Sequence, residues 1–191
     1  MEGRPPDEAQ LVSRARAGDA QAFSELVAMH QEVAFRVAFL VLGDPAEAED
    51  ATQEAFVRAH RGLGRFRPGE PFRPWLLRIA ANQARNRRRS ASRREGLRLR
   101  AVERSADAVA PSAESTVLDD ERRRELLAAI NALAPDDRVV LGARYFLDLS
   151  EVETAAVVGV ARGTVKSRLF RARARLQERL VASGWQGIDD G

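Results

Sequence analysis

Lys166, Ser167, Arg168, Phe170, Arg171 and Arg173 fall within GTVKSRLFRARARL, residues 163–176, and together they offer the chemistry of nucleic-acid recognition. Cationic side chains neutralise phosphates, the arginine fork can clamp guanine, and a phenylalanine can lie against a thymine methyl. Winding the segment as a helix gathers Val165, Leu169, Ala172, Leu176 and Leu180 into one apolar stripe. Lys166, Ser167, Phe170, Arg171 and Ala174 lie opposite, while Arg168, Arg173 and Arg175 flank the stripe. A solvated amphipathic helix would present the same two faces. Phe170 leans against that reading, because a large aromatic opposite the docking stripe has no packing role there.

The elements upstream decide between the two. LAPDDRVVLGARYFLDLS reads as a helix beginning near Pro135, with Val139, Val140, Ala143 and Phe146 as its apolar set. Ser150 and Glu153 have capping-box spacing and open a short helix over residues 151–158. Gly159 then stands where a left-handed residue ends a helix. A short helix, a glycine turn and a basic second helix make a helix-turn-helix, whose second helix enters the major groove.

Charge is distributed in blocks, although the net charge of the 191 residues is only +3. Residues 85–104 hold nine arginines against two acids, and residues 162–179 hold seven bases against one acid. Residues 44–54 and 105–121 each hold five acids and no base. Two basic blocks separated by acidic ones point to two nucleic-acid contacts and at least one protein contact. The chain has no cysteine, which excludes disulfides and thiolate metal sites. Its first twenty residues lack the apolar core of a signal peptide, and the longest apolar run, residues 37–42, is too short to span a membrane. A cytoplasmic protein is expected.

The N-terminal half reads as helical throughout. Asp19 caps a helix in which Phe23, Leu26, Val27, His30, Ala34, Val37 and Val41 keep helical spacing, and Gly43 stops it. Asp44, Pro45 and Glu47 mark another start, after which Ala48, Ala51, Ala55, Ala59 and Leu63 face inward. Asp50, Gln53, Glu54 and Arg58 face elsewhere. GLGRFRPGEPFRP, residues 62–74, is a glycine- and proline-rich loop, and a helix resumes at Trp75. Leu76, Ile79, Ala80 and Ala84 pack inward there, leaving Arg78, Asn82, Arg85 and Arg89 on the outer face. The expected fold is all-α: two small helical domains, 8–92 and 119–185, joined by a flexible linker over 93–118.

In order, AFSELVAMH, AEDATQEAFVRAHRGLGRFR, FRPWLLRIAANQARNRRR, LAPDDRVVLGARYFLDLS and GTVKSRLFRARARL resemble the sigma-70 family, specifically its extracytoplasmic-function group. The resemblance implies an alternative sigma factor of bacterial RNA polymerase with a region 2 domain and a region 4 domain. It implies that Asp50, Gln53, Glu54 and Arg58 dock on the beta-prime clamp of core polymerase, and a carboxylate-rich face does suit a basic partner surface. It implies that Phe66, Arg67, Phe72, Trp75, Arg78, Asn82 and Arg85 melt and read the minus-ten element as single-stranded DNA. Such work needs aromatic surfaces, arginines along the backbone and a group for a base edge, for which the Asn82 amide is suited. Lys166, Ser167, Arg168, Phe170, Arg171 and Arg173 would bind the minus-thirty-five element as duplex. Partners implied are core RNA polymerase through beta-prime clamp and beta flap, promoter DNA and an anti-sigma factor; no cofactor, metal or catalytic residue is implied.

Two positions depart from the family pattern: Thr154 replaces an apolar residue, and Ala161 leaves the recognition helix without a side-chain cap. A helix-turn-helix regulator of the response-regulator type would need an α/β receiver in the N-terminal half, where no strand pattern occurs. A carboxylate-bridged metal bundle wants Glu-x-x-His repeats, but valines precede His30 and His60 by three positions. No nucleophile-base pair or phosphate loop is visible.

Overall fold

Helix starts are set by short side chains with a free oxygen. In the computed structural model, which describes residues 7–99 and 125–183 and the side chains of 7–91 and 125–183, Asp7 accepts from the Ala9 N–H to open α1, Glu8–Arg16. Asp19 accepts from Ala22 at 3.1 Å to open α2, Ala20–Leu42, which ends at Gly43 with φ 77°. Asp44 accepts from Glu47 at 2.8 Å to open α3, Pro45–Gly62. A 3₁₀ turn, Leu63–Arg65, and a short loop lead into α4, Phe72–Leu99. This helix starts three residues before the expected Trp75 and runs past residue 92, where the first domain was expected to end. Residues 100–118 of the expected linker, and the first residues of the second domain, lie outside the described residues.

The first domain packs α1, α2, α3 and α4 around Leu11, Leu26, Val37, Phe72, Leu76 and Leu77, all 0–1% exposed. The inward row of α3 is alanine: Ala48, Ala51, Ala55 and Ala59 are each fully buried, as are Ala80, Ala81 and Ala84 of α4. Side chains this small let helix backbones approach closely, and α3 packs against both α2 and α4.

The second domain comprises α5 (125–131), α6 (Pro135–Leu141), a π turn (Gly142–Phe146), α7 (Glu151–Val158) and α8 (Arg162–Ala182). In the π turn the Leu147 N–H reaches back to the Gly142 carbonyl at 3.0 Å. That wider turn shifts the helical register, so Val139, Val140 and Ala143 are buried as expected while Phe146 is 64% exposed. The capping box forms in both directions: Ser150 Oγ accepts the Glu153 N–H at 3.3 Å, and the Ser150 N–H donates to Glu153 Oε2 at 2.8 Å. Gly159 ends α7 with φ 77°. Thr154 is fully buried, and its hydroxyl donates to the Leu149 carbonyl at 3.4 Å, which accommodates a polar residue at an apolar position. Ala161 supplies no side-chain bond at the start of α8.

The domains are not held apart. α7 lies across α4, α6 touches α2, and the apolar core runs continuously from one domain into the other. No strand occurs among the described residues, and none of their helices is long and apolar enough to cross a membrane.

Candidate nucleic-acid interface

α8 is seated by its stripe, with Val165 1% and Ala172 0% exposed and Leu169 and Leu176 packed against the core. Arg175 reinforces the seat, reaching Asp137 of α6 at 2.7 Å. The opposite face is open. Phe170 is 75% exposed, and Lys166, Ser167, Arg171 and Arg173 are exposed beside it. Arg171 Nε donates to the Ser167 carbonyl at 3.2 Å, and Lys166 lies 3.5 Å from Glu151 of α7. Arg168 is the exception within the expected set: it is half-buried, and its charge is close enough to disfavour the Arg85 guanidinium.

On the other domain the expected residues separate into two groups. Phe66 and Phe72 are 5% and 1% exposed, which corrects the expectation that they offer open stacking surfaces. Their rings stand edge to face at 5.9 Å and form the floor under Trp75, which lies 4.9 Å from Phe66 and 5.6 Å from Phe72. Trp75 itself is half-buried, while Arg67, Arg78 and Asn82 are exposed. Arg85 was expected on an outer face, but α7 covers it. One guanidinium nitrogen donates to the Val157 carbonyl of α7 and the other to Asn82 Oδ1 at 3.2 Å. Burial is the main cause holding the Arg85 guanidinium below its ordinary value; Asp136 opposes this, while Arg88, Arg89 and Arg168 add to it.

The acidic face of α3 is accessible, and its charges are engaged only at the surface. Glu54 and Arg58 pair at 2.9 Å one turn apart, and Asp50 lies 3.2 Å from Arg87 of α4, which also meets Glu47 at 2.8 Å. The bond to Glu47 is the main cause raising the Arg87 guanidinium. Exposed pairs of this kind contribute little and exchange readily for a partner's charges. Gln53 is exposed beside them.

Sequence reasoning missed the groups at the junction of the domains. Arg73 Nε meets Glu153 Oε1 of α7 at 3.0 Å, and the Glu153 side chain is only 9% exposed. His30 is 5% exposed, with Nε2 2.7 Å from a Glu8 oxygen but off the line a hydrogen bond needs. Burial lowers its pKa below 6.5 against the opposing pull of Glu8. Glu153 was legible as a capping residue, but nothing local marks its second partner eighty residues earlier.

Residues 26–94 match the family Sigma-70 region 2, and residues 123–176 match the family Sigma-70, region 4. The chain is 35% identical over 186 residues to the RNA polymerase sigma-H factor of Pseudomonas aeruginosa, covering 90% of this chain and 92% of that protein. It is 34% identical over 180 residues to the ECF RNA polymerase sigma-E factor of Escherichia coli K12, covering 89% and 92%. Among solved structures, CnrH in complex with the cytosolic domain of CnrY is similar at 30% identity and TM-score 0.63, over 92% of this chain and 97% of that one. The sigma factor RpoE of Bartonella quintana, solved with the anti-sigma factor NepR, is similar at 26% identity and TM-score 0.63, over 85% and 98%.

Proposed function

This chain belongs to the sigma-70 family of RNA polymerase sigma factors, in its extracytoplasmic-function group, and from that premise we propose how its surfaces divide the work of initiation. It is an alternative sigma factor that binds core RNA polymerase and directs transcription from specific promoters. Region 2 recognises and melts the minus-ten element, and region 4 binds the minus-thirty-five element. The observation that carries the reading is the open basic face of α8 on a docked helix-turn-helix, in one chain with a region 2 domain.

α8 lies in the major groove. Lys166, Arg168, Arg171 and Arg173 hold phosphates or guanine edges, Ser167 bonds a base or phosphate, and Phe170 contacts base edges. On α4 the Asn82 amide reads one base of the minus-ten strand, with Trp75 beside it and Arg67, Arg78 and Arg85 along the backbone. Phe66 and Phe72 shape that surface from beneath. Extruding a base costs a few kcal/mol, which these contacts must recover. Asp50, Gln53, Glu54 and Arg58 dock on the beta-prime clamp, and region 4 meets the beta flap. An anti-sigma factor, as seen with RpoE of Bartonella quintana, is the regulator expected for this chain. Phosphodiester chemistry is left to the polymerase, in the cytoplasm.

In vitro transcription with core polymerase tests the reading. The protein should direct initiation at a small set of sites, and Glu54→Lys should abolish this by weakening core association while region 4 still binds duplex. Strong core-independent operator binding with no effect on initiation would instead make the protein a conventional regulator.

A further inference from the structure

The start of α8 lacks the groups that usually steady a helix start. Ala161 offers no side-chain oxygen, and the first turn holds no acid but carries Arg162, a cation at the positive end of the helix dipole. The missing negative charge comes from α7. Glu151 Oε2 lies 3.5 Å from Arg162 Nε and Glu151 Oε1 lies 3.5 Å from Lys166 Nζ, so each carboxylate oxygen faces a different cation. The Glu151 side chain is 32% exposed, against 69% for Arg162 and 81% for Lys166, which makes the acid the fixed end and the cations the free ends. α7 does not need Glu151 for its own cap, because Ser150 and Glu153 complete the capping box. Arg162, Lys166 and Phe170 follow one another at single-turn spacing on the side of α8 that lies in the open.

We propose that Glu151 is a positioning residue that sets promoter specificity: it holds Arg162 and Lys166 back from phosphates, so that α8 binds less by charge alone and depends more on base edges. The inference rests on the assignment of α8 as the reader of duplex DNA. In a helix-turn-helix the first helix crosses the DNA backbone and the start of the second meets base edges, so Glu151 stands where these cations choose between the two. Phosphates are alike in every sequence, and each one neutralised by a free cation strengthens binding to any DNA. Cations already paired with a carboxylate must give up that partner to reach a phosphate, which weakens wrong sites most. A correct site is spared, because the ammonium of Lys166 has three protons and can face Glu151 and a guanine edge together. Surface pairs of this kind add little to folding, so the effect of Glu151 falls on binding.

The test is binding of the full chain, across a salt series, to a random-sequence duplex and to a duplex selected from a random pool by the wild-type protein. Glu151→Gln should tighten binding to the random duplex roughly tenfold at low salt and steepen its salt slope by about 0.9 for each phosphate newly held. The selected duplex should gain less, so the ratio of the two affinities falls. Glu151→Asp keeps the first-turn charge of α7 but is a methylene too short to face both cations, and it should lower the ratio as well. A residue that only steadied its helix would leave Glu151→Asp like the wild type, and that result overturns the proposal. An unchanged or higher ratio in Glu151→Gln overturns it too. In a chain already carrying Arg162→Gln and Lys166→Gln, Glu151→Gln should change neither affinity. Tightening that persists there would show the carboxylate repelling DNA by itself, against the proposal. If Arg171→Ala leaves both duplexes bound as tightly as the wild type binds them, the assignment of α8 as reader fails instead.

Discussion

On α8, Phe170 stands 75% exposed and Arg171 bonds back to its own helix, so the face they share is open. On α4, Arg85 reaches across to the Val157 carbonyl of α7 and holds Asn82 with its other nitrogen. Both surfaces belong to long arginine-bearing helices docked by an apolar side, yet on α4 Arg85 is tied to α7 while Arg78 and Asn82 stay exposed. The difference lies in the neighbours: α6 and α7 pack against α8 and leave Phe170 open, whereas α7 reaches the arginine row of α4 at Arg85. A duplex groove exists before the protein arrives, so a rigid, always-open face suits it.

The largest effect should come from removing the support of the open face. Leu149 is fully buried between the π turn and α7, and its carbonyl receives the Thr154 hydroxyl and the Arg144 guanidinium. Leu149→Ala should cost about 2–5 kcal/mol in urea unfolding and abolish minus-thirty-five binding. Core association through α3 should persist; its loss would mean that the two domains do not act separately.

Arg171→Ala tests the open face itself. If Arg171 contacts a base, the loss should be about 1–3 kcal/mol at one promoter position, whereas a phosphate contact would weaken every sequence alike. Binding of the isolated protein to duplex promoters with each position varied distinguishes the two. Core association should be unchanged in either case.

Asn82→Ala probes α4 and should fold normally, since the side chain is exposed. Losing one base-edge hydrogen bond should cost about 0.5–1.5 kcal/mol and alter which base is preferred in the minus-ten element. Abortive initiation on pre-melted templates should restore much of the rate but not the preference. An unchanged preference would remove Asn82 from readout.

The smallest effect concerns acid. His30 lies at the junction of the domains, with Glu8 of α1, Arg73 of α4 and Glu153 of α7 acting on it, and burial keeps its pKa below 6.5. As pH falls through about 6.5 the unfolded chain takes up the proton first, so stability present above that pH is progressively lost below it. The melting temperature should therefore fall more steeply with acid in the wild type than in His30→Gln. Equal slopes would mean that His30 does not titrate this way.

What could be read from the sequence was local. Asp19, Asp44, Ser150 with Glu153, Gly43 and Gly159 mark helix ends through bonds to residues within a turn, and each marks the end it was expected to mark. The stripe of α8 was legible because helical spacing alone defines it. Phe66 and Phe72 were misplaced because loop composition says nothing of which aromatic turns inward, and the early start of α4 carried Phe72 into the core. The π turn depends on one extra residue in a sequence that also fits a plain helix. The junction of the domains was invisible for a different reason: Arg85 and Val157 are 72 positions apart, and no periodicity links residues on separate domains.

The alanines of α3 set a limit on how this protein can change. At Ala48, Ala51, Ala55 and Ala59 there is almost nothing to trim, and any added methylene meets a filled space. A neighbour cannot readily compensate, because Ala80, Ala81 and Ala84 are themselves already minimal. Descendants of this sequence are therefore held still along one side of α3 by size alone. Its other side, bearing Asp50, Gln53, Glu54 and Arg58, lies at the surface, where a longer or shorter side chain displaces only water.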